Sequence, residues 1–154
     1  MTTVRDIMTT RVITLQPDMD ITRATRILLD NRINGAPVVN DQGALLGILC
    51  QSDLIAQQKK LPIPAVFSLL DSYITLPGGQ KLEKQIRKIA ALKVADAMTP
   101  NPVTVQADTR LETVAALMVD NSFHTLPVLE KGRLVGIVGK EDVLRTLLHP
   151  PKIQ

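Results

Sequence analysis

One sequence pattern occurs twice in this chain of 154 residues, in the same order both times. Val4-Arg-Asp-Ile-Met-Thr is answered by Val94-Ala-Asp-Ala-Met-Thr, Pro37-Val-Val by Pro127-Val-Leu, Gly47-Ile by Gly136-Ile, and Asp53 by Asp142. A duplication of this size means two copies of one supersecondary unit, each too small to cover its own sheet and helices. The copies differ in length at one point, where Asp41-Gln-Gly stands against Lys131-Gly. A one-residue change belongs in a hairpin loop, so Ala36 to Val39 and Leu45 to Leu49 are expected as paired strands.

The remaining elements follow from periodicity. Val12-Ile-Thr-Leu15 and Pro102-Val-Thr-Val105 read as short β-branched strands. Leu111, Val114, Ala115 and Met118 recur at i, i+3, i+4, i+7 and predict a helix, with Thr109-x-x-Glu112 as its capping box. Ile21, Ala24 and Leu28 repeat that face in the first copy, and both helices close on Asp-Asn. A further helix opens near Ser52 and another near Glu141. Each copy is thus strand–helix–strand–strand–helix, and the expected fold class is α/β. The two β-α-β-β-α repeats, 1–58 and 94–149, would pack about a pseudo-twofold axis with a cleft at their seam. Residues 59–93 form a linker, broken by Pro62, Pro64 and Pro77-Gly-Gly79. Helices are expected there over Ala65 to Tyr73 and over Gln80 to Lys93. The latter sets Leu82, Ile86, Ile89 and Ala90 on one face and Lys81, Lys84, Arg87 and Lys88 largely on the other. A solvated amphipathic face explains those basic residues better than a nucleic-acid stripe.

Several function classes are excluded or demoted. A single cysteine rules out an internal disulfide framework and suits a reducing compartment. The first ten residues carry acid and base, unlike a signal peptide, and no apolar run is long enough to span a bilayer. A cytoplasmic location without membrane contact is expected. The net charge of +3 is mild, and nucleic acid ranks last among partners. His124 and His149 are the only histidines and lack metal-ligand spacing. No nucleophile elbow, P-loop or dinucleotide fingerprint occurs. Cys50 has no identified base and reads as a small buried side chain. The chain is expected not to be an enzyme and to require no cofactor.

Asp-x-Met-Thr at 6–9 and 96–99, Pro-Val-Val and Pro-Val-Leu, and Gly-Ile-x-x-x-x-Asp at 47–53 and 136–142 together resemble the cystathionine-β-synthase (CBS) domain in its tandem arrangement, as in stand-alone bacterial proteins. The resemblance implies a regulatory rather than catalytic module. It would bind an adenosine-containing ligand of the AMP, ADP or ATP class, or S-adenosylmethionine or NAD, and dimerise. The family's Gly-x-x-Thr-x-x-Asp sets a hydroxyl and a carboxylate on the first turn of the last helix. The carboxylate can accept from both hydroxyls of a ribose, and the helix N-terminus suits phosphate. Asp53 and Asp142 keep the carboxylate, whereas Cys50 and Gly139 replace the threonine. Ser52 and Lys140 are candidates to compensate. The base slot implied by the family maps to Ile13, Thr14, Asn34, Gly35 and Ala36 in copy one. In copy two it maps to Val103, Thr104, His124, Thr125 and Leu126. Helix capping alone is the bland role for both aspartates. With Lys140 and His124 assigned to one site, the site of Asp142 is expected to bind a phosphorylated ligand more tightly than that of Asp53. The expected function is nucleotide sensing in the cleft between repeats, reported to an unidentified regulated protein. The alternative is a ligand-free oligomerisation module. Leu54, Ile55, Val143, Leu144, Leu147 and Leu148 exceed what one small sheet can cover, which points to a homodimer through the helices that carry them.

Overall fold

A computed structural model describes residues 1–60 and 92–149. Both expected linker helices fall outside the described residues, apart from Leu92 and Lys93. Those two are not helical: Lys93 is extended and bridges Asp20.

The first half contains α1 (Val4–Ile7), α2 (Ile21–Asp30), β1 (Gly35–Val39), β2 (Leu45–Cys50) and α3 (Gln51–Lys60). The second contains α4 (Val94–Ala97), β3 (Thr99–Pro100), β4 (Val105–Gln106), α5 (Leu111–Asn121), β5 (Thr125–Glu130), β6 (Arg133–Gly139) and α6 (Lys140–Leu148). Two three-stranded sheets result, in orders β1-β2-β3 and β4-β5-β6, and they meet through β1 and β5. Each hairpin carries a bulge at the same place, between Val38 and Val39 and between Val128 and Leu129. The second hairpin turns on Lys131 and Gly132, both with positive φ, as a two-residue loop matching the strand twist requires. In the first hairpin, Asn40 Oδ1 instead accepts from the backbone N–H of Gln42 at 3.0 Å and of Ala44 at 2.9 Å.

The sequence pattern did not reveal that the opening segments are exchanged. Helix α1 belongs by sequence to the first copy, yet Val4, with no exposed surface, packs with Val105, Val114, Leu126, Val128 and Val138 of the second. Val94 of α4 is equally buried among Leu15, Ile21, Ala24, Leu28 and Leu49 of the first. Hydrogen bonding repeats the exchange. The N–H of Val4 donates to Thr109 O at 2.8 Å, and that of Val94 to Met19 O at 2.9 Å. Thr9 and Ile137 exchange both backbone bonds at 2.9 Å, and β3 pairs with β2 through Ile48 and Thr99. The relation is reciprocal, as a twofold axis requires.

The crossing changes three local expectations, the first being that Pro102 to Thr104 are not strand and β4 holds only Val105 and Gln106. Val12 to Leu15 is not a strand; only Leu15 joins the sheet, through single bonds to Pro37 O and from the N–H of Val39, both at 2.9 Å. The preceding residues carry the chain from one half to the other and have no strand to pair with. The capping box of Thr109 and Glu112 does not form either. The cap of α5 is Arg110, and the Thr109 hydroxyl accepts from the N–H of Gln106 at 3.0 Å inside the preceding turn.

The exchanged segments lie so close to the hairpins that a side chain is excluded. A Cβ on Gly47 would sit 2.7 Å from Thr99 O and 2.8 Å from Met98 Sδ. On Gly136 it would sit 3.0 Å from Thr9 O and 2.8 Å from Met8 Sδ. Gly47→Ala must therefore push backbone against backbone, and overpacking of this kind costs about 1–3 kcal/mol. A urea titration should show that loss, while Gly139→Ala, whose Cβ meets nothing nearer than 3.7 Å, stays within about 0.5 kcal/mol of the parent.

Candidate functional site

Helices α3 and α6 each start directly from the last residue of a hairpin, and each has an aspartate as its third residue. Asp53 Oδ2 accepts from the N–H of Cys50 at 2.8 Å, and Asp142 Oδ2 from the N–H of Gly139 at 2.8 Å. One oxygen of each carboxylate thus caps its own helix, as the bland reading required. The other oxygen reaches across the molecule. Thr99 Oγ1 donates to Asp53 Oδ1 at 3.0 Å, and Thr9 Oγ1 to Asp142 Oδ1 at 3.3 Å. The threonine of each Asp-x-Met-Thr motif therefore serves the aspartate of the other copy. In the sequence pattern those threonines mark only the start of each repeat.

Two clefts flank these carboxylates. One, of about 550 Å³, holds Asp53 together with Cys50, Ser52, Thr99, Val103, His124 and Leu126, and has Ile48, Ile55 and Phe123 among its apolar lining. The other, of about 140 Å³, holds Asp142 with Gly35, Gly139, Thr9, Arg11, Ile13 and Arg32. Asn34, Thr125 and Lys140 line both. The pairing expected from chain order is exchanged. Val103, His124 and Leu126, mapped with Asp142, lie in the cleft of Asp53, whereas Ile13 and Gly35 lie in that of Asp142. The exchange of Thr9 and Thr99 is the physical cause, because each opening segment continues into the other half's cleft. Thr14 is exposed, Thr104 is half-buried and Ala36 is wholly buried in the first core; none of the three lines either cleft. Ser52, at the start of α3, is exposed.

The two carboxylates differ in their surroundings. Asp142 is 7% exposed, and Arg145 Nη1 donates to its Oδ1 at 2.7 Å, so that oxygen already has two donors. Asp53 is half-buried, and its only side-chain donor among the described residues is the Thr99 hydroxyl. Arg11, Arg32 and Arg145 were missed at the sequence level. They fall outside the motif positions, and only the fold brings them to the cleft. No cluster of three or more metal-binding side chains is present among the described residues. No helix there is long and apolar enough to cross a membrane.

The CBS domain family model matches residues 4–60 and 94–149, the two halves built above. This chain belongs to the CBS domain family. The pair is 32% identical to the chloroplastic CBS domain-containing protein CBSX2 of Arabidopsis thaliana, covering 96% of this chain and 64% of that protein. The chain thus spans less than two thirds of that relative's length. It is 30% identical to the uncharacterized protein MJ1426 of Methanocaldococcus jannaschii, over 94% of this chain and 90% of the other. Among solved structures, CBSX2 in complex with AMP superposes with a TM-score of 0.71 at 30% identity, covering 97% of this chain and 98% of that one. The CBS domain pair of MJ0100 with 5′-methylthioadenosine and S-adenosyl-L-methionine gives 0.69 at 25% identity, covering 97% and 98%.

Cys50, where the family pattern has threonine, is half-buried beside Gly35, whose Cβ would lie 2.9 Å from its Sγ. Burial, aided by the Asp53 carboxylate, pushes the thiol up to about 11. Folding thus favours the neutral thiol. Its contribution to stability is complete below the ordinary thiol value and is lost as pH rises through about 11. Iodoacetamide at pH 8 should leave the folded protein unmodified and alkylate Cys50 rapidly in urea, because the thiolate is the nucleophile. Mass spectrometry distinguishes the two.

Proposed function

We propose that this CBS pair binds an adenine nucleotide in the Asp53 cleft and reports its occupancy to a partner protein. The observation that carries the reading is the cleft itself. Its volume of about 550 Å³ lies within the range of about 300–1,000 Å³ usual for small-molecule sites. It combines an aliphatic wall with a carboxylate that retains acceptor capacity beside a helix N-terminus. Val103 and Leu126 offer an apolar slot for the base, Asp53 accepts from the ribose hydroxyls, and the first turn of α3 and Lys140 face the phosphate. The AMP complex of CBSX2 and the adenosyl complex of MJ0100 support the ligand class.

This reading reverses the order expected for the two aspartates. His124 belongs to the cleft of Asp53, Lys140 to both, and the Asp142 cleft is below the size a nucleoside needs. The cleft is built by both halves, since Asp53 comes from one and Val103 and His124 from the other. A bound nucleotide therefore favours one relative placement of the halves, and a partner that senses that placement completes the signal by population shift. The unpaired Cys50 fits a reducing compartment, and we propose a cytoplasmic location.

A second, compatible reading concerns assembly. Ile55 on α3 and Leu144, Leu147 and Leu148 on α6 are 56–78% exposed. We propose that a second copy covers these helices in a twofold contact. If calorimetry detects no nucleotide, assembly through these faces becomes the module's function.

Two measurements check these readings. Titration with AMP should show Asp53→Asn, which keeps the cap acceptor, weakened roughly tenfold, the effect of losing about 1.4 kcal/mol. Asp142→Asn should lose little; equal losses would refute the assignment. Light scattering at micromolar concentration should give twice the 16.9 kDa chain mass, and Leu147→Glu should return it to the monomer value.

A further inference from the structure

The cleft of Asp142 is a poor place for a nucleoside and a good one for anions. Its volume is about 140 Å³, a quarter of its neighbour's, and four cationic side chains line it against two carboxylates. Both carboxylates are already engaged by one of those cations. Arg145 donates to Asp142 at 2.7 Å, and its Nη2 lies 3.9 Å from Glu141. Arg11, Arg32 and Lys140 form no ion pair among the described residues. Arg11 comes from the exchanged opening segment, Arg32 from the turn after α2, and Lys140 from the first turn of α6. Three elements thus converge on one small space with cations that no anion among the described residues neutralises. The Asp53 cleft has no such excess: among the described residues, Lys140 and Asp53 are its only formally charged ones.

The two clefts share a wall made by Asn34, Thr125 and Lys140. We infer that they form one extended site, in which the phosphate chain of a nucleoside polyphosphate passes along this wall into the Asp142 cleft. The nucleoside stays with Asp53, and the terminal phosphates lie between Arg11, Arg32 and Lys140. The inference rests on nucleotide binding at Asp53 and adds what selects among nucleotides. A monophosphate ends near the shared wall and leaves the arginines unused. A triphosphate reaches them, and each charge-assisted bond it gains is worth about tenfold in affinity. The pair would then read the phosphorylation state of the nucleotide, holding one ligand per chain.

The test is calorimetry of the full chain with AMP and ATP, on the parent and on an Arg11→Ala/Arg32→Asn variant. Both arginines are exposed, and asparagine tolerates the left-handed backbone of Arg32 (φ 54°), so the variant should fold, as circular dichroism verifies. The expected result is ATP tighter than AMP in the parent, one ATP per chain, and a loss of about tenfold or more for ATP in the variant. AMP affinity should change less than about twofold, and salt should weaken ATP more than AMP. AMP binding with ATP indifferent to the two arginines overturns this inference and leaves the Asp53 site standing. Two nucleotides per chain also overturn it, since the second could only occupy the small cleft. Failure of the parent to bind either nucleotide overturns both readings.

Discussion

Each half of this molecule is completed by the segment that opens the other. Val4 and Val94 are buried in the core of the opposite copy, and the threonine of each Asp-x-Met-Thr motif ends on the opposite aspartate. Two small sheets with their helices would each leave an uncovered flank, and the exchange fills both flanks with apolar side chains at once. The glycines at 47 and 136 are part of the same constraint. They let the crossing backbone lie against the hairpin at a distance no side chain permits. The halves therefore cannot separate without opening both cores.

That constraint also makes the clefts. Because the opening segments cross over, every cleft takes its carboxylate from one copy and its facing wall from the other. A ligand in such a place touches both halves whatever its chemistry. The Thr99–Asp53 bond lies at the same junction, so anything that competes for Asp53 Oδ1 acts on a contact between halves. Surface pairs such as Arg5–Glu130 at 2.7 Å and Lys93–Asp20 at 2.6 Å follow the exchange too. Exposed ion pairs contribute about 0–1 kcal/mol each and decorate the arrangement rather than hold it.

Divergence between the copies acts on this symmetric frame. Where the first helix has Ala56, the second has Arg145, which engages Asp142 and leaves its carboxylate with less to offer a ribose. Where the second copy has Ser122 in a left-handed turn, the first has Arg32 with the same positive φ. With Arg11, which stands where the second copy has Asn101, these differences at three equivalent positions give the Asp142 cleft its cationic lining and leave the Asp53 cleft without it. The scaffold's duplication supplies the two positions, and the side chains decide what each can take.

The sequence by itself determined the repeat, the two hairpins and the helices that flank them. Apolar spacing located α2 and α5, the unequal loop located the hairpins, and the paired motifs identified both aspartates and the CBS family. These signals are local or nearly so, because periodicity and turn chemistry act within a few residues. What tertiary structure alone decided was partnership: which copy α1 and α4 complete, which threonine meets which aspartate, and which cleft receives His124, Arg11 and Arg32. A duplicated chain is compatible with crossed or uncrossed packing, since equivalent residues stand in both copies and either arrangement satisfies the same pattern. The distinction lies in contacts between residues as far apart as Thr9 and Asp142. No local propensity encodes such contacts, and only the packed cores choose between them.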